Sequence, residues 1–420
     1  MRSLFALLGA GLMGTMACTV EAPEDIDPLA SGSEGAPSGS PNDKTGSKNG
    51  GGETRREPAP PQPAPTAPLA EAISFARATI DGTVHLLAVV KDDGDTIDTV
   101  DIGEALGEAP RYPLDLVTKH GFAKVAGAIA TAKPRSIARA SLLPPIAEGT
   151  AQVCAAENYE AHQAETDAAP TPFLFPKIVQ PTGADVEVAR QKGDLLDYEV
   201  ELCVAFGKDI ASTTDLTGTT VGFALCNDLS ERATQVLNLD PNDQASGKGF
   251  TDAKSRAGFL PLGPYVVVPK DPDAFIAKIR LKLAVDGKPR QDDSTKSMIW
   301  KVPEIVKQAL AVGDTPRFSL AGKPVALLPQ KKIAKGMLVV SGTPGGVNLK
   351  APGLDFKAVK AAEYYAGFVF LQGKTLEKYV QEQYVEELRK GGAFLAPGNV
   401  IDAEGTMLGR QRIKITGSKE

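Results

Sequence analysis

The chain has 420 residues, of which 42% are hydrophobic and 23% are charged, and its formal net charge is −6 at pH 7. The length allows about two or three domains of ordinary soluble composition, and the negative charge argues against a nucleic-acid-binding protein. Its four cysteines lack CxxC spacing, which excludes a disulfide scaffold and argues against a structural zinc site.

The N-terminus has the pattern of an export signal. Residues 1–18 read MRSLFALLGAGLMGTMAC, in which Arg2 precedes a run of apolar and small residues that ends at Cys18. Such a pattern is typical of a secretory signal peptide. The cysteine after a small residue favours a bacterial lipoprotein, attached to the membrane only through a lipid on Cys18. A plain secretory signal, giving a periplasmic or secreted protein, and an unprocessed start are the alternatives.

Residues 19–69 predict a disordered linker. They hold no aromatic residue and contain ten of the 32 prolines of the chain. A segment of this composition cannot bury enough apolar surface to offset its ordering entropy. We interpret it as a tether between a lipid anchor and a folded body, and a disordered tail without that role is the alternative.

Residues 70–147 predict a small N-terminal α+β domain. Two β-type runs in 73–90 are joined at Asp81-Gly82, which is a strong hairpin signal. Apolar residues spaced for one face predict a helix over 115–133.

Residues 148–420 predict a β-rich catalytic domain with peripheral helices, so the fold class is α+β. The predicted strands cover 198–207, 220–228, 265–268, 279–287 and 337–346, and the predicted helices cover 301–312 and 374–390.

Three acids form the first chemical pattern. Glu199 and Glu201 are two apart on a predicted strand, so both side chains point to one face. A solvated strand edge is the alternative for this pair alone. Asp228 closes the next predicted strand and provides a third carboxylate. An all-oxygen set of this kind suits Mg²⁺ first, then Mn²⁺ or Ca²⁺.

A histidine and a glutamate form the second pattern. His162 and Glu165 are three residues apart, so they share a face on a helical turn. A carboxylate that orients an imidazole suits a general base that activates water. A pair on a helix surface is the alternative interpretation.

These patterns occur within an ordered series of motifs that resembles the fumarylacetoacetate hydrolase family. The series is NYEAHQAE (158–165), FLFPK (173–177), DYEVEL (197–202), GFALCNDLSERATQ (222–235), GKGF (247–250), PLGP (261–264), SGTPGGV (341–347) and LAPGNVIDAEGTMLG (395–409). The resemblance implies a mixed β-sheet roll of the fumarylacetoacetase C-terminal-domain type with a small N-terminal domain, often as a homodimer.

The resemblance also implies roles for particular residues. The metal ligands would be Glu199, Glu201 and Asp228, and the water-activating pair on a mobile lid would be His162 and Glu165. Six further residues match the family's motifs: Lys248 as a catalytic residue, and Tyr159, Lys177, Arg232, Gln235 and Thr343 at the substrate pocket.

The implied activity is a metal-dependent hydrolysis of a carbon–carbon bond in a small 2-oxo acid, such as an acylpyruvate or 1,3-diketo acid. Decarboxylation, isomerisation or hydration through the same enolate is the alternative within enzymes. A catalytically inactive, surface-tethered binding protein is the alternative from another class.

The chain departs from the family pattern in several places. Ala233 replaces an acid, and Thr251 follows the GKGF motif where an Asp is usual. Residues 350–394 form an insertion that would cover the pocket, extend a dimer interface or decorate the surface. We interpret Cys154, Cys203 and Cys226, near the site residues in sequence, as small buried hydrophobic residues.

Overall fold

A computed structural model describes residues 63–166 and 171–417. The predicted signal peptide, including Cys18, and the predicted linker up to residue 62 lie outside the described residues. Ala64 is already buried, so packing begins a few residues before the predicted domain start at 70. No helix among the described residues has the length and apolar character to cross a membrane.

The described residues form the following strands: β1 (Ala72–Ile80), β2 (Thr83–Asp92), β3 (Thr96–Asp101), β4 (Arg135–Ala138), β5 (Leu142–Leu143), β6 (Ala151–Ala156), β7 (Phe173–Ile178), β8 (Asp185–Arg190), β9 (Leu196–Asp197), β10 (Val200–Phe206), β11 (Val221–Asn227), β12 (Ser230–Glu231), β13 (Val266–Pro269), β14 (Arg280–Val285), β15 (Lys288–Ser294), β16 (Phe318–Leu320), β17 (Lys323–Val325), β18 (Val339–Val340), β19 (Val400–Gly405) and β20 (Gly409–Gly417). Their α-helices are α1 (Ile102–Leu106), α2 (Pro113–His120), α3 (Phe122–Thr131), α4 (Glu160–Thr166), α5 (Arg232–Asn238), α6 (Phe250–Lys254), α7 (Pro272–Ile276), α8 (Val302–Val312), α9 (Leu354–Ala366) and α10 (Leu376–Gly391).

Two mixed sheets dominate the fold. The larger sheet has 11 strands in the order β4-β3-β2-β1-β13-β11-β10-β18-β6-β7, with β5 paired to β1. The smaller sheet has five strands in the order β15-β14-β19-β20-β8. One core cluster draws buried side chains from both sheets. The predicted β-rich α+β fold is confirmed, and the pair β1–β13 joins the predicted N-terminal domain to the sheet that carries the acids.

The N-terminal elements follow the predicted pattern with one exception. Asp81 and Gly82 have φ values of 48° and 79° between β1 and β2, as a type I′ hairpin turn requires. The single helix predicted over 115–133 is wrong in its continuity. Gly121 has a φ of 78° and a ψ of 153° and separates α2 from α3, because these angles cannot continue the helical hydrogen-bond pattern.

The insertion at 350–394 forms two helices, α9 and α10, with a short 3₁₀ turn between them. The predicted helix over 374–390 corresponds to α10, which begins after the Thr375 side-chain cap and ends at Gly392 in the left-handed conformation. Tyr384 and Val385 of α10 pack with Ala233 and Val236 of α5 in a second apolar cluster. The insertion therefore supports the helix that carries Arg232 and Gln235.

Candidate active site and metal centre

The three predicted metal ligands meet at the ends of two paired strands. Glu201 lies on β10 opposite Cys226 of β11, and Glu199 precedes β10 while Asp228 follows β11. The backbone N–H of Asp228 donates to the carbonyl of Glu199 over 2.8 Å. One carboxylate oxygen from each acid lies within 4.8 Å of those of the other two, and all three residues are buried. The sheet register therefore brings together two acids from one strand and one from its neighbour.

The pKa values of Glu199 and Glu201 are shifted in opposite directions. Burial, with the charges of Asp228 and Glu199, raises the pKa of Glu201 well above its usual value. Burial also raises the pKa of Glu199, but Lys254 and Arg232 outweigh it and lower that pKa to about 2. Three buried carboxylates this close cannot all ionise cheaply without positive partners, and the side chains of Lys177, Lys254 and Arg232 contact Glu199 or Asp228. An oxygen-only donor set of this kind fits a hard divalent ion.

Lys254 contacts the cluster, and the predicted Lys248 does not. Lys248 is exposed, and its Nζ pairs with Asp240 at 3.0 Å outside the site. Lys254, the last residue of α6, is buried and donates to Glu199 and, over 2.8 Å, to Asp228. Burial lowers its pKa, but Asp228 and Glu199 outweigh burial and hold the pKa above its usual value.

Lys248 lies outside the site because it belongs to the turn before α6, where Gly247 and Gly249 both have positive φ. The available signal was the position of Lys254 at the end of a helix, seven residues before the Pro261 motif. The local GKGF match favours Lys248 instead.

Arg232 and Gln235 reach the site from α5. Arg232 is fully buried and donates to Asp197 over 2.9 Å, to Glu199 over 2.6 Å and to Gln235 over 2.8 Å. Its guanidinium therefore fixes the orientation of Glu199. Asp197, for which no role was predicted, also accepts the backbone N–H of Leu349 over 3.2 Å. This buried acid thus links α5 to the loop after the SGTPGGV motif.

Lys177 and Tyr159 are both fully buried, but neither lines the cavity. The Lys177 ammonium donates to Asp228 and, over 3.3 Å, to the carbonyl of Leu229. Lys177 therefore acts on a metal-ligand candidate. The Tyr159 hydroxyl has no hydrogen-bond partner among the described residues. Its pKa is raised mainly by burial and secondly by the negative charge of Glu201.

Thr343 lines the cavity with its hydroxyl already engaged. The hydroxyl donates to the carbonyl of Val200 over 2.9 Å and accepts from Gln291 Nε2 over 2.8 Å. Gln291, on β15, is buried and also accepts the backbone N–H of Val200 over 3.0 Å. This glutamine, which no motif indicated, links the loop of the SGTPGGV motif to the strand that carries Glu201.

His162 lies on α4 between two glutamates. Its Nδ1 is 3.7 Å from Glu165 Oε2, and its Nε2 is 3.7 Å from Glu157 Oε2. Glu165 also accepts the backbone N–H of Gly346 over 2.9 Å and pairs with Lys350 at 2.6 Å. Burial raises the pKa of Glu165, but these partners outweigh it and lower the pKa to about 2. At 3.7 Å the Glu165 carboxylate and the imidazole form a charge pair, and Nδ1 has no hydrogen-bond partner among the described residues.

A narrow cavity of about 20 Å³ joins these groups. That volume holds roughly one water molecule or ion and is smaller than a 2-oxo acid. The wall includes predicted and newly found site residues: Glu157, His162, Glu199, Glu201, Asp228, Arg232, Gln235, Lys254 and Thr343. The structure therefore brings the three acids and His162 to one space, and it leaves Lys248 outside.

A disulfide lies in the strands that carry the acids. Cys203 follows Glu201 by two residues on β10, and Cys226 precedes Asp228 by two residues on β11. The two cysteines are disulfide-bonded, with their Cα atoms 5.9 Å apart. They are buried, as the sequence predicts, but they are not free thiols, because the register places them diagonally across adjacent strands. Cys154 is buried and free.

Comparison with known proteins supports the resemblance. The family model for the fumarylacetoacetate (FAA) hydrolase C-terminal domain matches residues 151–416. The human mitochondrial oxaloacetate tautomerase FAHD1 is 31% identical over 207 residues, covering 46% of this chain and 80% of the human protein. The 2,4-didehydro-3-deoxy-L-rhamnonate hydrolase of a Sphingomonas species is 30% identical over 242 residues, covering 56% and 73%.

Among solved structures, the fumarylacetoacetate hydrolase of the psychrophile Exiguobacterium antarcticum has a TM-score of 0.51 at 20% identity, covering 82% of this chain and 100% of the other. That likeness concerns the fold. Because the family model matches well over half of the chain, the protein belongs to the fumarylacetoacetate hydrolase family.

Proposed function

We propose that the protein is a metal-dependent enzyme that hydrolyses a carbon–carbon bond in a small 2-oxo acid, with acylpyruvates as the leading substrate class. The observation that carries the proposal is the buried cluster of Glu199, Glu201 and Asp228 with His162 on the wall of the same cavity. Hydrolase relatives such as the rhamnonate-derivative hydrolase agree with it.

The chemistry divides between the cluster and the helix α4. A divalent ion held by the three acids, Mg²⁺ first and then Mn²⁺ or Ca²⁺, supplies positive charge that stabilises negative charge developing on the oxygens of a 2-oxo acid. His162 takes a proton from a water molecule, and Glu165 orients the imidazole. The Lys254 ammonium, replacing Lys248 in this role, is placed to donate to a developing oxyanion.

Enolate chemistry without hydrolytic attack of water on a carbonyl carbon is the second candidate, in a tautomerase, isomerase, decarboxylase or hydratase. The 31% identity to an oxaloacetate tautomerase favours it. An inactive binding protein is a weaker alternative, because burying three acids and a histidine in one site costs free energy that simple tethering does not require.

The proposed location is outside the cytoplasm, on a lipid anchor at Cys18. The Cys203–Cys226 bond supports it, because disulfides persist in oxidising compartments and are rare in the cytosol. Mass spectrometry of the natural N-terminus tests it, and an unmodified Met1 would refute export.

The proposed homodimer rests on the family resemblance, and light scattering in solution tests it.

The activity is tested by incubating the full mature chain and Mg²⁺ with acylpyruvates and with oxaloacetate. Release of pyruvate and a carboxylic acid from an acylpyruvate is the expected result. Conversion of oxaloacetate alone would favour the second candidate. Absence of turnover on every 2-oxo acid with Mg²⁺ or Mn²⁺ would refute both.

A further inference from the structure

Glu157 is a cavity residue that the proposed chemistry does not use. It follows β6 with a φ of 56°, a conformation that residues with side chains adopt at a cost in free energy. Its surroundings hold this conformation. Gln163 Nε2 donates to the Glu157 carbonyl over 2.7 Å, and the Thr166 hydroxyl donates to Glu157 Oε2 over 2.9 Å. The backbone and the carboxylate are therefore both fixed from α4.

The carboxylate of Glu157 faces the reactive side of the histidine. Glu165 lies at His162 Nδ1, so Glu157, at Nε2, is the carboxylate on the opposite ring nitrogen. The other charged groups that act on Glu157 are Glu199 and Arg232. Burial is the largest influence and raises the pKa of Glu157 above its usual value, against the opposing effects of His162 and Thr166.

A single carboxylate is enough to orient an imidazole. Burying a second acid costs free energy that orienting the imidazole does not require. Its position beside Nε2 and on the cavity wall suits a group that exchanges protons with both the histidine and a bound substrate.

We propose that Glu157 is a second proton-transfer residue, which carries a proton between His162 Nε2 and the substrate carbon next to the 2-oxo group. This inference rests on the proposed function. In hydrolysis, water gives a proton to Nε2 as its oxygen bonds to the distal carbonyl carbon. The carbon–carbon bond then breaks, and its electron pair stays with the pyruvate half. The proton passes from Nε2 to the Glu157 carboxylate and then to that carbon, which restores the neutral imidazole and the carboxylate.

The same carboxylate serves the second candidate reaction. For tautomerisation it takes a proton from the carbon beside the 2-oxo group, and a proton returns to the oxygen or to the carbon. Exchange of that carbon's protons with solvent therefore isolates the step assigned to Glu157, because exchange needs no attack by water on a carbonyl.

The test measures exchange of the pyruvate methyl protons with D₂O by NMR, using the full mature chain with Mg²⁺. Glu157→Gln keeps the shape and a hydrogen-bond acceptor for Thr166. We expect it to lower the exchange rate about 10²-fold, at the lower end of the range for general acid–base catalysis. Mg²⁺ affinity by calorimetry should stay within about threefold of the parent, because Glu157 is outside the three-acid cluster. Glu160→Gln on the exposed face of α4 is the matched control and should exchange at the parent rate.

A Glu157→Gln protein that exchanges at the parent rate overturns the inference while leaving the proposed function intact. A parent protein that neither hydrolyses acylpyruvates nor exchanges pyruvate protons refutes the proposed function itself. If Glu157→Gln does not fold, Thr166→Val removes the hydroxyl that holds the carboxylate. That variant has to lower exchange several-fold, and a parent-like rate in it overturns the inference.

Discussion

The Cys203–Cys226 disulfide closes a loop between residues 23 apart in sequence, and breaking it should lower the free energy of unfolding. For a loop of about 24 residues, the chain-entropy relation gives roughly 3 kcal/mol at 25 °C. The loop includes the connection from β10 to β11, so the loss should appear in the part of the protein that carries the acids. Urea unfolding of the parent, with and without a phosphine reductant, measures the shift.

A Cys203→Ala/Cys226→Ala variant should be destabilised as well and should lose its response to reductant. Cys154→Ala is the control, because Cys154 is buried and unbonded and should leave the reductant response unchanged. Thiol titration under denaturing conditions reports whether the bond was broken. An unfolding midpoint that does not move after both thiols are released would refute the assignment of a stabilising cross-strand bond.

Removing a charged ligand with Glu201→Gln should weaken Mg²⁺ or Mn²⁺ binding by calorimetry, and the parent should gain about 2.7 kcal/mol of stability at 100 times its dissociation constant; no thermal shift at millimolar metal would contradict the three-acid site. His162→Ala should keep metal affinity within a few-fold but lower hydrolysis by about 10²–10⁴, and a parent-like rate would remove it as the base. Lys254→Met should abolish most activity while Lys248→Met should not, because Lys254 contacts Glu199 and Asp228 whereas Lys248 pairs with Asp240 outside the site; equal effects in steady-state assays would refute this. The pKa of Glu165 is lowered to about 2, so its contribution to stability is present above its unfolded pKa of about 4.3 and is lost as pH falls toward 2. Glu165→Gln should therefore lose less stability than the parent over that interval in acid unfolding, and an unchanged acid profile would contradict the shift.

The acids were predictable because a strand's period of two places Glu199 and Glu201 on one face whatever the rest of the fold does. Lys254 was not, since a lysine's long side chain reaches the cluster from a helix end whose direction depends on tertiary packing. The Cys203–Cys226 pair was missed because sequence separation says nothing about strand register.

Glu157 was missed for a different reason. Its left-handed backbone conformation is a feature that sequence periodicity does not report. The break between α2 and α3 shows the same limit, because the apolar spacing continues across Gly121 while the backbone does not. Local pattern therefore predicted the faces of elements well and predicted their ends and special conformations poorly.

The insertion at 350–394 is tied to the end of α4 through its first residues. The backbone N–H of Ala351 donates to the carbonyl of Glu165 over 3.0 Å, and the Tyr384 hydroxyl donates to the carbonyl of Lys350 over 2.5 Å. The cavity of about 20 Å³ is smaller than a 2-oxo acid, so opening of α4 as the predicted lid would have to break the Glu165–Ala351 bond or carry the start of the insertion with it. Turnover limited by such opening responds to substitutions in a helix that touches no reacting atom. Substitutions in the added helices would then change how long a substrate stays in the cavity without changing the groups that react with it.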